Sequence, residues 1–216
     1  MKSKDIGNFR KSYEKKYIDD INIEKKPFDF FEKWFKDACK DKSIDEPNAM
    51  SLSTISPNGF PRTRVVLLKE FGIDGFIFYT NFNSRKGSEL KENQKASMCF
   101  HWKSLRRQVR AIGKVEEVST KEADDYFNTR PYKNRIGAWA SSQSKVLDKR
   151  ETFLKNIKEF ENKFPDQANV PRPPHWSGWR LLPDEIEFWL DGDGRIHERL
   201  NYKKKSSKWE KELLYP

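Results

Sequence analysis

Four short stretches place cations, hydroxyls and aromatic rings where they could grip an anion. In "RTRVVLLK" (62–69), strand alternation puts Arg64, Val66 and Leu68 on one face and Val65, Leu67 and Lys69 on the other. Apolar residues on both faces predict a strand buried on both sides, whose terminal cations need partners. Snorkelling at a sheet rim is the plain alternative. In "YTNFNSRKGSEL" (79–90), Asn83 or Ser84 can cap a helix. The free N–H groups of its first turn, beside Arg85 and Lys86, would make a phosphate cradle. No nucleotide-loop glycine pattern accompanies it, so neither ATP nor NAD is implied.

The third stretch, "YFNTRPYKNRIGAWASSQS" (126–144), sets Tyr126 and Arg130 four apart on one helical face, with Pro131 ending that helix. "SSQS" (141–144) adds hydroxyl and amide groups that can hydrogen-bond a polar ligand. The fourth is "GRIHER" (194–199). As a strand it would point Arg195, His197 and Arg199 to one face, roughly 6.6 Å apart, a repulsive row unless an anion lies across it. Two flanking arginines would disfavour the protonated form of His197, leaving a neutral imidazole. Trp189, just before, could pack a flat ring system. Each feature also has an ordinary reading: a core-edge ring, a surface charge, loop filler.

These residues need a frame. "PFDFFEKWFKDACK" spaces Phe28, Phe31, Phe35 and Ala38 for a helix over about 27–42, with Pro27 in its first turn. Strands follow at "AMSLSTI", "FPRTRVVLLKE", "GFIFYTN", "ASMCFHW" and "RQVRAIGKVEEV", joined by the turns "SPNG" and "GIDG" and the link "KSL". Helices are expected from Ser119, where Glu122 gives capping-box spacing, and over 148–164, where Phe153, Ile157 and Phe160 make a stripe. A Pro-rich connector leads to the strands "WSGWRLLP", "EIEFWL", "GRIHERLNY" and "KWEKELLY", with "DGDG" as a hairpin turn. Many short strands and few helices predict an antiparallel barrel. Residues 1–26 show no apolar period and read as a mobile arm, a possible lid; 27–216 reads as one domain.

With 43 Lys+Arg against 33 Asp+Glu, the net charge of +10 favours anionic partners. Hydrophobic residues are only 35%, offset by 16 Phe, 7 Trp and 7 Tyr, so the core should be aromatic. A basic nucleic-acid-binding barrel is one reading of that excess. It requires aromatics exposed along a basic groove, whereas Phe76, Phe78, Phe100 and Trp102 alternate as core positions do. Cys39 and Cys99 lack metal-ligand spacing and read as free, buried thiols of a reducing compartment; no metal is expected. Without an apolar run of membrane-spanning length or a signal-like start, a cytoplasmic protein with no membrane partner is expected.

Taken together, "RVVLLK" (64–69), "FYTNFNSRKG" (78–87), "RQVRAIG" (107–113), "YFNTRP" (126–131), "IGAWASSQS" (136–144), "IEFWL" (186–190) and "RIHERLNY" (195–202) resemble the pyridoxamine/pyridoxine 5'-phosphate oxidase family, in the family's order. The resemblance implies a mainly β fold with flanking helices, a six-stranded antiparallel split β-barrel, working as a homodimer with FMN at the subunit interface. It implies oxidation of pyridoxamine or pyridoxine 5'-phosphate to pyridoxal 5'-phosphate in vitamin B6 metabolism, by hydride transfer from C4' to the flavin, with O2 reduced to H2O2.

Carried over residue by residue, FMN would meet Arg64, Val65, Val66, Leu67, Leu68, Lys69, Tyr79, Thr80, Arg85, Lys86, Gln108, Gln143, Ser144, Trp189 and Arg199. The substrate phosphate would meet Lys69, Tyr126, Arg130 and Asn134, where the family commonly has serine at the last position. Arg195 and His197 would flank the substrate ring as the catalytic pair, and Arg10 and Tyr13 would fall in a lid. The alternatives are another split-barrel flavin-binding protein or reductase, or the nucleic-acid-binding barrel.

Overall fold

The computed structural model of the chain describes residue 18 and residues 26–216. In order it carries α1 (Pro27–Lys40), β1 (Ala49–Ile55), β2 (Pro61–Leu67), β3 (Glu70–Gly72), β4 (Gly75–Asn81), α2 (Arg85–Glu92), β5 (Lys95–Trp102) and β6 (Arg107–Glu117). Then come α3 (Thr120–Asn128), α4 (Tyr132–Ala140), α5 (Arg150–Lys163), β7 (Trp176–Leu190), a 3-10 turn (Asp193–Arg195), β8 (Glu198–Lys205) and β9 (Lys208–Leu214). The strands form one nine-stranded sheet, ordered β2-β1-β5-β6-β7-β4-β3, with β8 on β7 and β9 on β8. The mainly β expectation holds, with β2, β1, β5, β6, β7 and β4 as the six long strands of the path.

Two compact units divide the chain, and β5, β6 and β7 contribute residues to both. The smaller takes the residues up to Pro47, Cys99–Ala111 and Asp184–Pro216. Its core is aromatic, as the composition foretold. Helix α1 buries Phe28, Phe30, Phe31, Trp34 and Ala38, a wider stripe than the four-residue row in the sequence, and Phe35 is left half-buried. Phe30 lies 4.5 Å from Phe188, Phe31 5.2 Å from Phe100, and Trp34 meets Phe188 edge-on at 5.3 Å. Each such ring stabilises the unit by about 1.5–3 kcal/mol through burial. Ile18 is also buried here, and its N–H donates to Glu198 Oε2 at 2.6 Å. Helix α1 is further held by Arg107, whose guanidinium pairs with Asp37 at 2.7 Å and lies 4.7 Å over Trp34. The two thiols are free but not buried as expected: Cys39 falls on the outer face of α1 and is exposed, and Cys99 is half-buried.

The larger unit takes Asn48–Met98 and Ile112–Pro183. Strand β1 alternates as expected, burying Met50, Leu52 and Thr54. Strand β2 does not behave as its sequence predicts. It ends the sheet order and pairs only with β1, so it is not buried on both faces, and Val65 is 67% exposed. By contrast β4 is almost wholly buried, with Phe76, Ile77 and Phe78 inside. Phe76, Phe78, Phe100 and Trp102 are each at most 2% exposed, which leaves no aromatic row for a nucleic acid at those positions.

Two boundaries differ from the sequence expectation. Strand β7 runs unbroken through Pro183, which the sequence reads as a strand end. Gly113 faces this point, where any Cβ would lie 2.0 Å from the Leu182 carbonyl, so the backbones approach closely enough to carry the proline through. Helix α4 was not foreseen at all, because Pro131 reads as a terminator. It is the N-cap of the next helix, a position proline tolerates since the first N–H groups lack intrahelical acceptors. Arg135, buried, then ties α4 to the connector by donating to the Gln167 and Ala168 carbonyls at 2.6 and 3.1 Å.

Candidate active site

One cavity of about 740 Å³ lies in the larger unit, walled by the end of β2, the end of β4, the first turn of α2, and helices α3, α4 and α5. That volume suits a small organic ligand. Lys69, Lys86, Arg130 and Lys133 line it, and no Asp or Glu does. Like charges sharing a partly dry cavity repel, and an incoming anion relieves them all at once.

Arg130 shows the demand most sharply. Its guanidinium stacks 4.6 Å above Trp176 and 5.4 Å from Phe127. Nη1 is buried with no hydrogen-bond partner, and burial holds the group below its ordinary pKa. A desolvated donor on a cation is costly unless an anionic oxygen reaches it. Lys86 sits in the first turn of α2, where Ser84 is the cap, accepting from the Gly87 N–H at 3.3 Å. Burial, then the Arg64 charge, pull the Lys86 ammonium down to about 8, against an opposing pull from Glu89. Its Nζ donates to Gln143 Oε1 at 2.8 Å and Ser84 Oγ at 3.3 Å.

The cavity's flat wall is made by rings. Tyr79 stacks on Tyr126 at 4.1 Å and on Trp176 at 5.3 Å, with interplanar angles of 12° and 6°. Gly178 stands opposite Tyr79 in the β4–β7 ladder, and a Cβ there would meet the Tyr79 ring at 2.8 Å. Only glycine lets that ring lie flat. Burial, helped by Glu70 and Glu122, pushes the Tyr79 hydroxyl up to about 12, so this wall stays neutral. Lys69 Nζ lies 6.0 Å over Tyr126.

On the inner face of α2 is a buried acid, Glu89, for which the sequence suggests no role. Glu89, 2% exposed, accepts from Thr54 at 2.5 Å and Arg62 at 2.7 Å, and pairs with Arg64 at 3.3 Å. Burial alone would raise its pKa; the hydrogen bonds from Thr54 and Arg62 and the Arg64 charge outweigh it and hold the carboxyl low.

In the smaller unit, Glu187, 5% exposed, grips Arg199 in a fork, Oε1 to Nε at 2.8 Å and Oε2 to Nη2 at 3.2 Å, and also pairs with Arg110. The stretch "GRIHER" is not a strand from its start. Arg195 ends the 3-10 turn at φ 64°, His197 precedes β8, and only Arg199 lies on that strand. The expected row of three cations on one face is therefore overturned, because Gly194 and Arg195 in left-handed conformations break the alternation. The charged neighbour of His197 is an acid: Nδ1 lies 3.0 Å from Asp191 Oδ1, and its ring packs 4.6 Å from Trp189.

Residues 35–164 match the family "Pyridoxamine 5'-phosphate oxidase", and residues 176–216 match "Pyridoxine 5'-phosphate oxidase C-terminal dimerisation region". A pyridoxine/pyridoxamine 5'-phosphate oxidase of Pelagibacter ubique is 56% identical over 191 residues, covering 88% of this chain and 91% of that one. The chain belongs to the pyridoxamine 5'-phosphate oxidase family. The oxidase of Nostoc punctiforme is 45% identical over 99% of both chains. Among solved structures, PhzG from Burkholderia lata, in complex with tetrahydrophenazine-1-carboxylic acid, has TM-score 0.87 at 29% identity, covering 95% of this chain and 100% of that one. A pyridoxamine 5'-phosphate oxidase-related, FMN binding protein from Nostoc punctiforme has TM-score 0.71 at 17% identity, covering 90% and 100%, and shares the fold. The fold is the split barrel of that family.

Of the residues the resemblance singles out, the 740 Å³ cavity gathers Val65, Val66, Leu67, Lys69, Tyr79, Thr80, Lys86, Tyr126, Arg130, Asn134 and Gln143. Arg64 is turned to Glu89 instead, and Leu68 is core at 3% exposure. Arg85 and Ser144, the latter at φ 71°, line a second cavity of about 290 Å³ that includes Glu89 and Glu92. Gln108, Trp189, Arg195, His197 and Arg199 belong to the smaller unit, where Gln108 accepts from Cys99 Sγ at 3.0 Å. Arg10 and Tyr13 lie outside the described residues. Lys133, Trp176 and Gly137 line the cavity without having been anticipated. The signal for Lys133 was the proline before it, which starts a helix as readily as it ends one.

Proposed function

We propose that this chain oxidises pyridoxamine or pyridoxine 5'-phosphate to pyridoxal 5'-phosphate with FMN as cofactor, working as a homodimer with FMN at the subunit interface. The observation that carries the reading is the cavity itself: four cations and no carboxylate around a flat aromatic wall. That is a receptor for a planar, phosphorylated molecule. The residues fit FMN as well. Lys86, depressed by burial at the capped start of α2, gains most from a phosphoester. Strand β2 is the end of the sheet path, so its outer edge offers backbone groups to a flavin ring beside Val65, Val66 and Leu67.

Bound FMN would supply the electron-accepting chemistry for a two-electron oxidation at the substrate C4' carbon, with O2 as the final acceptor giving H2O2. The protein's own residues bind and orient. Arg130, Tyr126 and Lys69 hold the substrate phosphate, with Asn134 donating its amide in place of a hydroxyl. Gln143 fixes the Lys86 ammonium by its 2.8 Å hydrogen bond. Glu187 holds the Arg199 fork rigid for the flavin, with Gln108 and Trp189 completing the contacts. Arg195 and His197 would align the C4' substituent, with the His197 ring held at Nδ1 beside Asp191 Oδ1 at 3.0 Å and the Gly192 N–H at 3.3 Å.

The test is anaerobic. Purified protein should be yellow, bleach on adding pyridoxamine 5'-phosphate, and release peroxide when air is admitted. A yellow protein that never bleaches would refute the oxidase reading in favour of a flavin-binding protein. A protein that takes up no FMN would refute both.

A further inference from the structure

The corner between α3 and α4 holds a cation that no role so far uses. Lys133 is the second residue of α4, it lines the cavity, and no hydrogen bond or ion pair holds it among the described residues. Its surroundings are set against a lysine. The first turn of a helix carries a partial positive charge and favours acids. Helix α4 has no acidic residue in its first turn and no side-chain cap, and its turn carries Lys133, Asn134 and Arg135. Arg135 is spent on the Gln167 and Ala168 carbonyls. Pro131 O accepts from the Asn134 and Arg135 N–H groups, and the N–H groups of Tyr132 and Lys133 have no intrahelical acceptor by geometry.

A second observation at the same corner points to a ligand. Arg130, one residue before the Pro131 cap, has a buried Nη1 with no partner, and lines the same cavity as Lys133 and Asn134. Two cations flank the start of one helix, one guanidinium nitrogen of Arg130 is buried without a partner, and no carboxylate lines the cavity to neutralise them.

We infer that Lys133 is a further binding residue for the substrate's phosphate, closing over it from the helix start while Arg130 grips it from the cavity wall. This rests on the oxidase reading, which places the substrate phosphate beside Tyr126 and Arg130. The ligand class is a phosphate monoester dianion on a small planar ring. Arg130 is desolvated and stacked, so it supplies the directional hydrogen bonds; Lys133 is exposed and supplies a point charge that adapts. The lysine also offsets Asn134, whose amide is a weaker anion partner than a cation.

The experiment compares the FMN-loaded wild type with Lys133→Gln, Lys133→Glu and Lys133→Arg. Steady-state oxidation of pyridoxamine 5'-phosphate and the equilibrium Kd of pyridoxal 5'-phosphate, followed by its absorbance, are measured with the melting temperature. Lys133→Gln should raise KM and Kd by about tenfold, one charge-assisted contact's worth. Lys133→Glu should raise both further, and Lys133→Arg should restore most of the loss. The kcat and FMN content should stay within error, and the melting temperature should hold in Lys133→Gln and Lys133→Arg and hold or rise slightly in Lys133→Glu, where an acid suits the first turn of α4. Inorganic phosphate should compete with the product less well in Lys133→Gln than in wild type. KM and Kd within twofold of wild type in Lys133→Glu would sink the assignment. A fall in kcat with unchanged Kd would overturn it too. If the wild type itself fails to bleach, the oxidase reading falls first, and phosphate competition for pyridoxal 5'-phosphate still judges Lys133.

Discussion

Replacing Glu89 by alanine is the sharpest probe of how this fold holds its cations. Glu89 is 2% exposed and meets three partners, Thr54, Arg62 and Arg64. Removing one member of a buried charged pair typically costs about 3–5 kcal/mol, because the other charge is left unpaired. Here the arginine side chains keep 40% and 22% exposure, so water recovers part of the loss. Thr54, 1% exposed, also loses its hydrogen-bond acceptor. About 2–3 kcal/mol is the net expectation, which for a chain of this size lowers the melting temperature by roughly 4–12 °C. The assay is urea unfolding at fixed protein concentration, since a dimer's apparent stability depends on it. A pH series adds a second readout. The Glu89 carboxyl is held below its usual range by Thr54, Arg62 and Arg64 against the effect of burial. Its contribution is therefore complete above the unfolded value and is lost as pH falls through the depressed folded value. Glu89→Gln should flatten that acid limb while keeping the shape. A loss below about 0.5 kcal/mol in Glu89→Ala, the size of an ordinary surface change, would refute the claim that this carboxylate anchors β2 to α2.

Other consequences are as direct. Lys86, drawn down to about 8, is charged below that pH and neutral above it, so FMN affinity, read by flavin fluorescence, should weaken as pH rises from 7.5 to 9.5; Lys86→Met should bind weakly with a flat profile. Gly178→Ala drives a Cβ to 2.8 Å from the Tyr79 ring, and overpacking of that kind costs about 1–3 kcal/mol, seen by urea unfolding together with a raised KM. Arg195→Leu should cut kcat/KM by orders of magnitude while absorbance shows FMN still bound; an unchanged kcat/KM would remove Arg195 from the reaction.

Much of the frame was legible in the residues because the signals were local. The Ser119–Glu122 capping box forms as spaced, Ser84 caps α2, and the β1 and β4 boundaries follow alternation and turn residues. Misreadings occurred where a distant partner decides. Both faces of β2 are apolar in sequence, yet its place at the end of the sheet leaves Val65 exposed. Pro183 continues a strand because Gly113, seventy residues away in the chain, has no Cβ. Of the site, periodicity expected Tyr126 and Arg130 on one helical face, but α3 ends at Asn128 and leaves Arg130 past its cap, and no local period could bring Trp176 beneath that arginine. Glu89 was invisible as an anchor, since nothing local marks an acid on α2 as buried.

The contrast between Arg64 and Lys69 shows how one short stretch of chain serves two purposes. Arg64 lies within β2, and Lys69 follows two residues past the strand's end at Leu67. Arg64 leads inward to Glu89 and Thr54, where its charge is neutralised within the protein. Val65, Val66, Leu67 and Lys69 line the cavity, where no acid waits and Val65 remains exposed. A neutralised arginine cannot be a first attractor for a ligand, whereas an uncompensated lysine beside an uncovered apolar surface can be one. The same division recurs in the smaller unit: Arg199 is locked by Glu187, while no described carboxylate pairs with Arg195 at its left-handed turn. On the proposed reading, locked arginines would supply fixed geometry, and unlocked cations would be the ones left free to meet a ligand. Mutating the first class should therefore register in stability and cofactor affinity together, and mutating the second in substrate binding or turnover alone.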